Sequence, residues 1–191
     1  MAFDLQPSIH DGLIRVEPLR VGDFEALYAV ASDPLIWEQH PSKNRYQREV
    51  FAGYFESGIA SGGALRVIDE AHGELIGCSR YYDLDEAQRK VSIGYTFLAR
   101  KCWARGFNRA LKQLMLDHAF KFVDRVIFQV GRDNWRSRKA MEKLGGVYIG
   151  EENVAYVPGE QASPNVVFKI DAADWIGTVA RGAPAPGAGA R

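Results

Sequence analysis

Phe107, Leu111, Leu114, Met115, His118, Ala119 and Phe122 recur at the three- and four-residue spacing that puts them on one face of an α-helix, with Lys112, Asp117 and Lys121 off that stripe. Such a helix must bury the stripe against another layer, and its neighbours in sequence say which. Residues 90–98 before it and 125–130 after it read as short apolar strands. A second amphipathic helix, 134–144, follows and is closed by Gly145-Gly146, and strands at 147–150 and 166–170 come next. The succession strand, helix, strand, helix, strand predicts an α/β (α+β) fold: a mixed, mostly antiparallel central sheet flanked by helices.

The upstream half supplies the antiparallel part. Residues 64–69, 75–83 and 90–98 form a meander, with the turn residues His72-Gly73 between the first two. Residues 12–19 read as a first strand ending at Pro18. Phe24, Leu27, Tyr28 and Ala31 mark a helix capped by Asp23 and ended by Asp33-Pro34. Val50, Phe51 and Tyr54 lie on one side of another helix at 47–57, with Gly62-Gly63 beyond it.

With 191 residues, 47% of them hydrophobic, the chain has enough apolar surface for one core and one domain. Lys and Arg number 24 against 24 Asp and Glu, so no overall field draws it to nucleic acid or to an anionic membrane, and any anion must be held by local groups. The two cysteines, Cys78 and Cys102, make neither a disulfide framework nor a metal spacing and fit a reducing cytoplasm. No basic leader precedes an apolar run, and no stretch nears the roughly 18 apolar residues of a membrane span, so a soluble, unprocessed protein is expected. His10, His40, His72 and His118 show no paired metal spacing; no metal is expected, and His118 reads as a satisfied core histidine. Neither a Walker-type loop, nor a dinucleotide-binding glycine pattern, nor a nucleophile elbow occurs.

The loop between the buried strand and the strongest helix, Phe97-Leu98-Ala99-Arg100-Lys101-Cys102-Trp103-Ala104-Arg105-Gly106-Phe107-Asn108, is suited to an anion. A helix N-terminus offers unpaired N–H groups and partial positive charge, Gly106 admits a phosphate close to the backbone, and Arg100, Lys101 and Arg105 add full charges. The same residues would also serve a tight strand-to-helix turn with a solvated basic surface.

Over residues 12–170 these features resemble the GNAT acetyltransferases, especially the branch related to ribosomal-protein alanine N-acetyltransferases. The resemblance rests on Arg15-Val16-Glu17-Pro18-Leu19 with Asp23 and Asp33-Pro34, on Gly94-Tyr95, on Trp103-Ala104-Arg105-Gly106-Phe107-Asn108 at the family's phosphate loop, and on the Asn134 to Gly145 helix. In the loop only Gly106 matches the family pattern strictly, and Asn108 departs from it. The resemblance implies a GNAT domain over residues 12–175 after an N-terminal extension at 1–11, and the Gly/Ala/Pro tail at 176–191, whose composition cannot bury a core, is expected to be disordered. It implies transfer of an acetyl group from acetyl-CoA to a primary amine, on a protein N-terminus or a small molecule. It also leaves room for a homodimer and implies no nucleic-acid or membrane partner. A noncatalytic acyl-CoA-binding module of the same fold is the alternative.

By the same resemblance the strand carrying Tyr95, Thr96, Phe97 and Leu98 splays from its neighbour. Phe97 and Leu98 would hold the pantetheine arm, and Trp103, Ala104, Arg105, Gly106, Phe107 and Asn108 would surround the pyrophosphate. Asn134 would orient the pantetheine, and Ser137 would serve the departing thiolate. Ser92 stands where relatives often carry a glutamate base. Glu38, His40 and Glu152 are expected to border the acceptor cleft, and Trp37, Glu38 and Tyr156 suit a cation there.

Overall fold

The computed structural model describes residues 2–155 and 161–175. Tyr156 and the tail at 176–191 lie outside them. Eight strands form one sheet: β1 (Ile9–His10), β2 (Ile14–Pro18), β3 (Ala64–Asp69), β4 (Glu74–Asp85), β5 (Lys90–Leu98), β6 (Arg125–Gly131), β7 (Val147–Val154) and β8 (Ser163–Asp171), in the spatial order β1-β2-β3-β4-β5-β6-β8-β7. Every neighbouring pair is antiparallel except β5 and β6. The helices are α1 (Phe24–Ala31), α2 (Arg48–Ala60), α3 (Phe107–Ala119) and α4 (Trp135–Leu144). None of the described helices is long and apolar enough to cross a membrane.

Two apolar clusters divide the sheet's surroundings. In one, Leu111, Met115, Leu116 and Ala119 of α3 pack with Val91, Ile93 and Leu98 of β5 and Val126 and Phe128 of β6. The other joins Leu27 and Ala31 of α1, Phe51, Tyr54 and Phe55 of α2, Trp37 and Phe97. The expected stripe on α3 is therefore buried as its spacing requires, and His118 is a satisfied core histidine, its Nε2 lying 2.7 Å from the Asp4 carbonyl. Lys112 is the exception: expected off the stripe, it is buried.

The segment before Gly12 packs on the domain, since Phe3 sits 5.2 Å from the Tyr81 ring and 5.3 Å from that of Phe122. Asp23 does not cap α1 through its side chain as expected. Its carboxylate instead accepts from Arg20 N–H and from Arg66, because the preceding Val21–Asp23 turn redirects it toward β3.

Candidate active site

β5 and β6 are paired only over Lys90↔Arg125, Val91↔Val126 and Ser92↔Ile127. Beyond Ser92 the strands part, which opens a notch between them. β5 also carries a bulge there. Arg80↔Gly94 and Cys78↔Phe97 pair across β4, so β5 spends one more residue than β4 over this interval, and Tyr95 takes a φ of +53°.

An extra residue reverses the alternation of a strand. Val91 and Ile93 face the α3 cluster, but Phe97 faces the second cluster and Leu98 the first. Thr96 is thereby turned toward α3, where the Lys112 Nζ lies 2.7 Å from its Oγ1. The bulge is held from behind: Tyr54 O–H donates to the Tyr95 carbonyl at 2.6 Å, and the Arg80 guanidinium lies 3.9 Å from the Tyr95 ring centroid.

The loop from β5 to α3 makes a short turn, Arg100–Cys102, then passes through positive φ at Ala104 (+57°) and Gly106 (+89°). Gly106 is the N-cap of α3, so the chain can enter the helix only through a conformation that favours glycine. The Trp103 indole N–H donates to the Leu98 carbonyl at 3.0 Å, which folds the loop back on β5.

Opposite this loop stands the N-terminus of α4. Asn134, only 6% exposed, accepts from Ser137 N–H at 3.1 Å and caps the helix. Arg136 ties α4 to the segment between α1 and α2. Its guanidinium donates to the Ile36 carbonyl at 2.8 Å and lies 4.0 Å from the Trp103 ring centroid, and its N–H donates to the Gln39 side chain. Pro41 of that segment sits where a Cβ on Gly131 would come within 2.7 Å, so glycine at the end of β6 lets the segment close against the notch.

These elements enclose two adjoining cavities. The larger, about 570 Å³, runs from Trp103, Ala104 and Gly106 along Arg109, Lys139 and Lys143 to Phe97 and Leu98. The smaller, about 120 Å³, reaches Gly94, Tyr95, Gln129 and Gly131. Asn108, Lys112, Thr96, His40, Asn134 and Ser137 line both. Among the described residues, no Asp or Glu lines either.

Burial shifts several ionisable groups in or behind the site. Desolvation lowers Lys112 to about 7 and raises the Cys78 thiol to about 11. His40 is pushed well below its ordinary value by burial and then by the positive charges of Arg45 and Arg136. Its Nδ1 accepts from Ser42 N–H at 2.9 Å, so the neutral ring carries its proton on Nε2 and is a donor there.

The structure brings Phe97, Leu98, Trp103, Ala104, Gly106, Asn108, Asn134 and Ser137 around one cavity. Phe107 has its side chain in the core, leaving only its backbone toward the loop. Arg105 is exposed, with its guanidinium on the Lys101 carbonyl at 3.4 Å. Arg100 and Lys101, expected to add free charge, are ion-paired with Asp33 and Glu74. The positive lining comes instead from Arg109, Arg136, Lys139 and Lys143.

Of the described residues expected near the acceptor as its acid or base, only His40 reaches a cavity. Glu38 lies outside against Arg136 at 3.7 Å, and Glu152 accepts from Gln129 one layer out. Ser92 sits buried at the last pair before the strands part. Lys112 was legible in principle: Asn108, Lys112, Met115 and Ala119 share one side of α3 at helical spacing.

A family model for the acetyltransferase (GNAT) domain matches residues 14–147. Among solved structures, a T. thermophilus protein described as an acetyltransferase is 25% identical, covering 95% of this chain and 96% of its own at a TM-score of 0.76. A GCN5-related N-acetyltransferase from Brucella melitensis is 20% identical, with 90% and 81% covered and a TM-score of 0.75. Mycobacterium smegmatis RimJ, solved with CoA-disulfide, is 21% identical, with 88% and 89% covered and a TM-score of 0.66. No match was found among curated proteins.

Proposed function

The chain belongs to the acetyltransferase (GNAT) domain family, and from this premise we propose that it transfers the acetyl group of acetyl-CoA to a primary amine by direct attack on the thioester. The observation that carries the reading is the larger cavity. It joins a helix N-terminus with three basic side chains, Arg109, Lys139 and Lys143, at one end and a notch of parted strands at the other. Phosphates suit the first end and an extended thioester arm the second.

In this reading the backbone of the loop from Ala104 through Arg105, Gly106 and Phe107 to Asn108 receives the pyrophosphate, with Trp103 as a wall. Phe97 and Leu98 align the pantetheine arm and polarise the thioester carbonyl, and Asn134 orients the arm. The Ser137 hydroxyl donates to sulfur as the carbon–sulfur bond breaks, where negative charge develops. An acceptor α-amine, with an ordinary pKa of about 8, arrives partly neutral near pH 7. Both cysteines are free and buried, which fits the reducing cytoplasm we propose for it.

The want of any carboxylate in either cavity among the described residues favours a second reading, an acyl-CoA-binding module without turnover. Calorimetry with acetyl-CoA and thiol release with a panel of primary amines separate the two. Micromolar binding with amine-dependent release supports the transferase; tight binding without release from any amine supports the module. Failure to bind acetyl-CoA would sink both.

A further inference from the structure

Resting on the transferase reading, we propose that Lys112 is the proton carrier of the reaction: its amine takes the proton from the attacking nitrogen and hands it to the departing sulfur. Lys112 lines both cavities, at the junction where an acyl group reaching in from the larger would meet an acceptor in the smaller. It is 4% exposed, and its Nζ is located by two neutral partners, Thr96 Oγ1 at 2.7 Å and the Phe128 ring, whose centroid lies 5.7 Å away. Thr96 is itself fixed by Ser79 Oγ at 2.7 Å and by its own bond to the Gly94 carbonyl. The bulge at Tyr95 is what presents Thr96 to α3.

A buried lysine without a carboxylate holds its proton poorly, and burial brings this one to about 7. That is the range in which a base can both accept and return a proton at neutral pH. The titratable and charged groups around it are Cys78 from β4, Tyr95 from β5, His40 from the segment between α1 and α2, Arg109 from its own helix, and Arg136, Lys139 and Lys143 from α4. None of these is an anion at neutral pH: the thiol is pushed up and His40 is neutral.

The step balances without another reactant. The amine lone pair becomes the new bond to the thioester carbonyl carbon, and the carbonyl π pair moves to oxygen. The nitrogen, acidified by carrying positive charge, gives a proton to Lys112 Nζ. The oxygen pair then re-forms the carbonyl, the carbon–sulfur pair leaves on sulfur, and the Lys112 ammonium protonates the thiolate and is neutral again.

The test compares parent, Lys112→Met and Lys112→Arg. Acetyl-CoA affinity by calorimetry is expected within about threefold in all three. With a peptide bearing an N-terminal alanine as acceptor, kcat should fall on the order of 10²-fold or more in both variants. Arginine keeps the charge but cannot release the proton, so a purely electrostatic role would survive in Lys112→Arg and overturn the proposal. The parent's acid limb near pH 7 should vanish in both.

Independently of any acceptor, ¹³C-lysine NMR should find one side chain titrating near 7 that is absent from Lys112→Met. Titration above about 9.5 overturns the proposal whatever the turnover. Loss of acetyl-CoA binding by the parent would instead overturn the transferase reading on which it rests.

Discussion

Lys101 in the turn before α3 and Lys112 in the middle of that helix have opposite fates. Lys101 lies on the surface, paired with Glu74, and that hydrogen bond raises its pKa. Lys112 lies in the floor of the cleft with a threonine for a partner, and burial lowers its pKa to about 7. The sign of a residue's charge says little about its use until its neighbours are known. On the rim, a carboxylate holds the proton on an ammonium more firmly; in the floor, the absence of water and a carboxylate makes the same group a base.

Floor residues should therefore control turnover, and rim residues affinity or nothing. The largest effect outside Lys112 is expected at Ser137. Ser137→Ala should lower kcat about 10- to 100-fold with the acetyl-CoA dissociation constant unchanged. Its backbone N–H still reaches the Asn134 side chain, so the helix cap survives. Turnover preserved alongside a lower melting temperature would make Ser137 structural and break the comparison.

A second effect lies in stability. Lys112 binds a proton in the unfolded chain up to about pH 10.4 but in the folded one only to about 7. Between these values the unfolded state holds more protons, so stability rises with pH, by roughly 2 kcal/mol from about pH 7 to about pH 8.5. Above that, Cys78, whose folded pKa is raised, begins to work the other way. Urea melts across this window should show the rise in the parent and a flatter line in Lys112→Met. Parallel lines would place Lys112 in water.

The smallest effects belong to the rim. Lys139→Ala with Lys143→Ala should raise the acetyl-CoA dissociation constant about tenfold and reduce its salt dependence, since both side chains line the larger cavity. Lys101→Ala should change neither affinity nor melting temperature measurably, because it loses only an exposed ion pair. Calorimetry at two salt concentrations separates the sites. If Lys101 mattered more than the α4 lysines, the anion would lie on the other side of the loop.

Local spacing carried much of the architecture. The buried face of α3, the cap Asn134 and the Gly106 entry to α3 each follow from residues within a few positions of one another, and the meander and its turns follow from alternation. Such features are decided by backbone geometry, which repeats about every 2 or 3.6 residues and so leaves a trace in any window of sequence.

The chemistry of the floor was decided elsewhere. The bulge at Tyr95 depends on Tyr54, 41 residues away, and Arg136 is held by the Ile36 carbonyl, 100 residues away. Whether Arg100 and Lys101 face an anion or are spent on Asp33 and Glu74 depends on pairings that no local pattern encodes. The sequence by itself determined most of the helices and strands and the glycine turn into α3. Only the tertiary structure decided which lysine would be stripped of water, because desolvation is a property of everything packed around a group.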